Sequence, residues 1–168
     1  DETGKLPSVR HPANDYRYYR RADLERFRLD YQVAQASTGK GQVFATADAH
    51  IEKNRKLRQP QKEAHTAVRQ HFAASSAHAI VQLPVGCGKT GVIATLPFGI
   101  AQGRVLVIAP NVTIRDGIAE SLDLTSAKCF WRKTGILENF GQGPFTAILD
   151  GPDANVHDCV ESHFVVTN

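Results

Sequence analysis

The stretch LPVGCGKT (residues 83–90) places two glycines, a cation and a hydroxyl directly after an apolar run. Gly86 and Gly88 let the backbone curl until several N–H groups converge, and the helix predicted after them presents further unpaired N–H donors. Lys89 then supplies a point charge for the β- and γ-phosphates of a nucleotide, and Thr90 supplies a hydroxyl for Mg²⁺. The stretch therefore predicts a loop that binds nucleotide phosphates, with a simple glycine-rich turn as the alternative.

The flanking sequence has the order of strands and helices that such a loop requires. Apolar runs predict four strands, and apolar residues at helical spacing predict helices between them. The predicted strands are HAIVQL (78–83), RVLVIAP (104–110), FTAILD (145–150) and SHFVVTN (162–168), and the predicted helices cover 56–75, 89–97 and 112–122. Strands that alternate with helices favour an α/β fold with a parallel sheet.

The composition is that of an ordinary globular chain. Its 168 residues are 42% hydrophobic, and no apolar run approaches the about 18 residues that a membrane span needs. The first residues hold neither an initiator Met nor an apolar signal core, so we expect a part of a longer protein. Three cysteines without CxxC spacing argue against a disulfide framework and a zinc site and favour a reducing cytoplasm. His157, Asp158 and Cys159 are predicted to be surface residues.

The first third of the chain carries the surplus of positive charge. Residues 1–58 hold 12 Lys and Arg against 8 Asp and Glu, and NDYRYYRR (14–21) interleaves tyrosines with arginines. Arginine neutralises phosphates and tyrosine stacks on bases, which suits nucleic acid, although a solvated basic face explains the composition at least as well. A helix is predicted over 21–35, and STGKG (37–41) is interpreted as its end. We assign residues 1–56 to a mainly helical extension and residues 57–168 to the main domain.

The loop and the residues before it resemble the superfamily 2 helicases and translocases, whose first nucleotide loop reads PTGxGKT. Here it reads PVGCGKT, although Leu83 replaces the first glycine of the usual phosphate-loop fingerprint, and LRQPQKEA (57–64) is similar to the glutamine motif of the family. The resemblance implies that Gln61 pairs with the N6 and N7 atoms of adenine and so favours ATP over GTP; a solvated glutamine is the alternative. The implied ATP-binding residues are Arg58, Gln61, Pro84, Val85, Gly86, Cys87, Gly88, Lys89 and Thr90, with Lys89 and Thr90 catalytic and Thr90 on Mg²⁺.

Two downstream segments resemble nucleic-acid motifs of the same family. A strand ends in a Pro-containing turn in VLVIAPNVTIRDGI (105–118), and another strand ends in Thr and Asn in FVVTN (164–168). The resemblance implies phosphate contacts, which position a strand without reading its bases, from Pro110, Asn111, Thr113, Thr167 and Asn168. Asn111 as a simple helix cap is the alternative. The turn is most similar to the branch of restriction-enzyme motors and excision-repair helicases, which favours DNA over RNA.

The acidic box of that family and its second motor lobe are not found in these residues. The resemblance therefore implies a partial first RecA-like lobe of an ATP-dependent helicase or translocase, which binds Mg²⁺·ATP but hardly hydrolyses it alone. Asp150 is the nearest candidate for the missing acidic residue, and we assign no residue as the catalytic base. A P-loop kinase or GTPase would need the loop but neither Gln61 nor the turn at 110–113. A non-catalytic nucleotide- or nucleic-acid-binding module is a further alternative.

Overall fold

A parallel sheet with flanking helices organises the computed structural model, which describes residues 8–10, 17–19, 22, 43–47, 49–138, 143–150 and 156–168. The elements in chain order are β1 (Ser8–Arg10), β2 (Arg17–Tyr19), α1 (Val43–Thr46), α2 (Gln59–Ala74), α3 (Lys89–Thr95), β3 (Val105–Ile108), α4 (Val112–Leu122), α5 (Phe130–Thr134), β4 (Thr146–Ile148), α6 (Val156–Glu161) and β5 (Phe164–Thr167). Strands β1 and β2 pair antiparallel, while the other three form one parallel sheet. The predicted α/β class with a parallel sheet is confirmed.

Strand β5 lies at the centre of the parallel sheet, in the order β3-β5-β4. Phe164 of β5 is level with Val105 on one side and Thr146 on the other, so the carboxyl ends of all three strands meet at one edge. Strand β3 was expected to be buried, but its burial alternates, with Leu106 60% and Ile108 72% exposed. Only one face of this strand therefore packs against the core.

The strand predicted over 78–83 does not form, and this prediction was wrong. HAIVQL adopts neither helix nor strand, and Ile80 is 95% exposed. A strand needs a neighbour that takes up its N–H and C=O groups, and no strand in the described ranges pairs with this segment. Apolar sequence alone therefore did not decide the conformation of these residues.

The ends of three helices lie close to those predicted from the sequence. Helix α2 has Pro60 in its first turn, where a missing N–H costs nothing, and the backbone N–H of Arg58 donates to Oε1 of Gln61 at 2.9 Å. The buried face of α2 includes polar residues and differs from the predicted apolar stripe, since Phe72 is 44% exposed. Helix α3 ends before Pro97, and α4 has the predicted bounds.

An aromatic cluster joins these elements into one core. Phe44 meets Phe98 and Phe164 edge to face, with ring centroids 5.4 and 5.2 Å apart, and Trp131 lies 5.7 Å from Phe164. Such pairs add about 0.5–1.5 kcal/mol each beyond the area they bury. The indole N–H of Trp131 also donates to the carbonyl oxygen of Ala94 at 2.9 Å, which ties α5 to α3.

Residues before the predicted domain boundary at 57 also enter this core. Phe44 and Ile51 are buried in it, and the boundary itself stays a prediction. Of the helix predicted over 21–35, Ala22 is described and is helical, while STGKG and most of NDYRYYRR lie outside the described residues. Within the described ranges, no helix combines the length and apolar character needed to cross a bilayer.

Candidate functional site

The predicted phosphate loop turns on two glycines with left-handed backbone. Gly86 has φ 84° and Gly88 has φ 80°, a region that residues with a Cβ rarely adopt. Gly88 caps the N-terminus of α3, so Lys89 and Thr90 are the first two residues of that helix. The backbone therefore has the tight curl that the sequence led us to expect at these positions.

The Lys89 ammonium lies across this loop. Its Nζ donates to the carbonyl oxygen of Pro84 at 3.1 Å, and the residue is exposed. Pro84 and Val85 are exposed as well, while Cys87 and Thr90 are partly buried. The positive charge of Lys89 is thus held at the mouth of the loop by a bond to a neutral carbonyl oxygen.

Arg58 and Gln61, at the start of α2, reach the same loop. Nε2 of Gln61 donates to the carbonyl oxygen of Gly88 at 3.0 Å, and Nη1 of Arg58 donates to the carbonyl oxygen of Gly86. The structure therefore brings Gln61, predicted to bind adenine, and Arg58, predicted to bind ATP, to the predicted phosphate loop. Gln61 is 4% exposed, so the solvated glutamine considered as an alternative is not what the structure has.

Gly91, which the sequence analysis did not single out, allows the close approach behind the loop. A Cβ built on Gly91 would strike Nε2 of Gln61 and would lie 2.6 Å from the ring of Phe130, too close for either group to stay in place. A Cβ on Gly88 would lie 2.5 Å from the same Nε2. The one available signal was a third glycine so soon after Lys89, and glycine in a helix often marks a packing requirement.

The residues predicted to contact nucleic acid lie at the carboxyl ends of β3 and β5. Asn111 caps α4, with its Oδ1 accepting from the N–H of Ile114 at 2.9 Å, as the simpler alternative proposed. Thr167 donates its hydroxyl to the carbonyl oxygen of Leu149 at 3.1 Å. Pro110, Asn111 and Thr113 are exposed, as is Asn168. Ligands of open α/β sheets bind outside this edge, so the location suits a binding surface.

Arg115, also absent from the sequence analysis, is the buried link between these strand ends. Its side chain is 5% exposed and forms ion pairs with Asp116 at 2.8 Å and Asp150 at 2.9 Å. It also donates to Oδ1 of Asn168 at 3.0 Å. Hydrogen bonding to Asp150 raises the pKa of the Arg115 guanidinium above its ordinary value. Asp150, the candidate for the missing acid, is therefore engaged in an ion pair.

Cysteine and metal chemistry add little to this site. Cys87, Cys129 and Cys159 are free thiols, and Cys159 is 2% exposed, so its predicted place on the surface was wrong, whereas His157 and Asp158 are exposed. Within the described ranges, no group of three His, Cys, Asp or Glu side chains is placed to hold a metal ion.

Comparison with protein-family models gave a match over residues 54–148 to the family described as type III restriction enzyme, res subunit. The matched segment is more than half of the chain and contains Arg58, Gln61, the loop and the turn at 110–113, while Thr167 and Asn168 lie beyond it. Comparisons with curated proteins and with solved structures gave no match. The chain therefore belongs to the type III restriction enzyme res subunit family, whose domain is a DEAD-like helicase domain of superfamily 2 with the RecA-like fold.

Proposed function

We propose that the described lobe is the ATP-binding part of an ATP-dependent DNA helicase or translocase. One observation carries the proposal: Gln61 and Arg58 both donate to carbonyl oxygens of the glycine loop, at Gly88 and Gly86. A nucleotide whose phosphates lie in the loop would have its base beside the same two side chains. A kinase or GTPase would not need these hydrogen bonds between Gln61, Arg58 and the loop.

Each residue has a defined part in binding. Lys89 would exchange its bond with the carbonyl oxygen of Pro84 for bonds to the β- and γ-phosphates, which as ionised acceptors attract an ammonium more strongly than a neutral carbonyl does. The hydroxyl of Thr90 would help to hold Mg²⁺, which neutralises phosphate charge when bound. The Gln61 amide already donates one hydrogen to Gly88 and accepts one hydrogen bond from Arg58. Its second amide hydrogen and its second oxygen lone pair would therefore bind adenine.

We assign the polymer contact to the strand-end residues Pro110, Asn111, Thr113, Thr167 and Asn168. These residues lie where parallel strands end, and the family match is to a restriction-enzyme subunit, which supports DNA as the polymer. Three free cysteines accord with a reducing cytoplasm.

Replacing the loop lysine tests the proposal. Lys89→Ala should weaken Mg²⁺·ATP at least about tenfold, because a charged hydrogen bond is lost, while urea denaturation shows a stability change within about 0.5 kcal/mol. Lys133→Ala, an exposed lysine on α5, is the matched control and should leave the affinity unchanged. Equal affinities of wild type and Lys89→Ala in calorimetric titration would overturn the phosphate-loop assignment.

A further inference from the structure

We propose that Arg115 is a positioning residue that turns the side-chain amide of Asn168 so that its NH₂ group faces a backbone phosphate of bound DNA. The inference rests on the proposed function, because it concerns the strand-end surface assigned there to DNA. It adds a residue that neither the sequence resemblance nor the matched family segment assigns to that surface. Arg115 is assigned an indirect role, through Asn168, and no contact of its own with DNA.

The geometry of Arg115 joins three parts of the fold at the carboxyl edge of the sheet. The residue lies in α4, just after the turn at 110–113 that follows β3, and it bonds to Asp150 after β4 and to Asn168 after β5. Its side chain is 5% exposed, so the guanidinium is fixed by packing as well as by these bonds. One planar group therefore links the segments that follow all three strands.

The chemistry of the contact fixes which end of the Asn168 amide points outward. A guanidinium only donates hydrogen bonds, so it is the oxygen of the amide that faces Arg115, at 3.0 Å from Nη1. The NH₂ group lies on the opposite side of the same planar amide. Asn168 is exposed, and a phosphate oxygen only accepts, so the NH₂ group is the end that suits DNA.

The charge of Arg115 is unsuited to binding a phosphate directly. Asp116 and Asp150 both pair with it, so its positive charge is already compensated. The guanidinium is buried as well as paired, so we assign the contact to the uncharged NH₂ group of the exposed Asn168. An exposed arginine that contacts a phosphate displaces counterions from DNA, whereas the uncharged amide of Asn168 does not. The salt dependence of binding therefore distinguishes the two roles.

A double-mutant cycle in the full chain tests the proposal, with affinity for a fluorescent single-stranded oligodeoxynucleotide measured by anisotropy over a range of salt concentrations. Arg115→Gln, whose amide both donates and accepts and so no longer fixes the orientation of Asn168, and Asn168→Ala should each weaken binding about tenfold, and the double variant should be no weaker than either alone. The slope of log affinity against log salt should stay at the wild-type value, because no charged contact is lost.

Two results would overturn the inference. Losses that multiply in the double variant would show that Arg115 does not act through Asn168, and a slope that falls by about 0.7 in Arg115→Gln, which removes the positive charge, would show that Arg115 itself contacts a phosphate. If Arg115→Gln fails to fold, Asn168→Ala by itself keeps the proposal falsifiable, since it removes the NH₂ donor without adding a charge; unchanged affinity in that variant would equally contradict the proposal. A wild-type chain that binds no oligonucleotide would instead overturn the assignment of DNA to this surface.

Discussion

Nε2 of Gln61 donates a 3.0 Å hydrogen bond to the carbonyl oxygen of Gly88, which lies 27 positions later in the chain. The same carbonyl oxygen accepts from the backbone N–H of Gly91 at 2.9 Å, in the first turn of α3. The start of α2 and the glycine loop are therefore one bonded unit, and a change at Gln61 acts on the loop as well as on any base beside it.

Replacing Gln61 should separate these two effects. Gln61→Ala removes the adenine pair, worth about 1–3 kcal/mol by analogy with base readout, and also the support of the loop. We therefore expect the affinity for Mg²⁺·GTP to fall slightly and that for Mg²⁺·ATP to fall further in calorimetric titrations. Gln59→Ala, which removes an exposed glutamine bonded to Glu63, is the control and should leave both affinities unchanged. Equal losses for ATP and GTP would show that Gln61 serves the loop alone.

Two helical glycines should respond oppositely to alanine. At Gly91 a Cβ would collide with Nε2 of Gln61 and the Phe130 ring, so Gly91→Ala should destabilise the fold by about 1–3 kcal/mol and weaken nucleotide binding. Gly117 of α4 has no heavy atom within 4 Å of a built Cβ. Gly117→Ala should therefore stabilise by about 0.4–1 kcal/mol, since alanine restricts the unfolded chain and favours helix. Urea denaturation measures both, and a stabilised Gly91→Ala would contradict the packing described here.

Local signals predicted the elements whose stability is local. Helix α4 was predicted with its observed bounds because apolar residues recur at helical spacing, and Asn111, for which a cap was the alternative, does cap it. The segment 78–83 was mispredicted because a strand depends on a neighbour that no local pattern reports. Helix α5 has five residues, too few for a visible period, and Trp131 holds it in place through a bond to Ala94 that only the tertiary structure creates.

The residues of the candidate site also fall into those with a local sequence signal and those without one. Lys89 and Gln61 were found because their residue types recur at motif spacing, and the structure brings them to the same loop. Arg115 and Gly91 were missed, since what distinguishes them is contact with residues far along the chain: Asn168 and Asp150 for Arg115, and Phe130 and Gln61 for Gly91. The sequence shows Arg115 as one arginine in an amphipathic helix and gives no indication of these distant contacts.

Thiol labelling should report on the loop. Cys87 is partly exposed, whereas Cys129 is 0% and Cys159 2% exposed, and burial also raises the pKa of the Cys159 thiol. Because the thiolate is the reactive form, iodoacetamide should modify Cys87 first at every pH. The modification of Cys159 should be slower still at pH values below its raised pKa. Mass spectrometry should show one fast adduct, slowed by Mg²⁺·ATP and absent in Cys87→Ser. Equally fast labelling of Cys159 would refute its burial.

The last prediction is that the 168-residue chain binds Mg²⁺·ATP but hydrolyses it at a rate near background. Phosphoryl transfer requires a positioned water and compensation of the charge that develops on the transferred group. In the described part of the chain, the loop is contacted by the donors Arg58, Gln61 and Lys89, and no Asp or Glu side chain bonds to residues 84–90. Asp150, the nearest acidic candidate, is held by Arg115 at 2.9 Å.

Mg²⁺·ATP can still bind without an acidic residue at the loop, because the loop and Gln61 lie within one lobe. We expect titration to detect Mg²⁺·ATP binding, Lys89→Ala to weaken that binding at least about tenfold, and phosphate release to stay near background with or without added DNA. Asp150→Asn should leave that rate unaltered, since the amide oxygen can still accept from Arg115. If DNA instead stimulates robust hydrolysis in the wild type and Asp150→Asn removes it, Asp150 is a catalytic acid that leaves its ion pair when nucleotide and DNA bind.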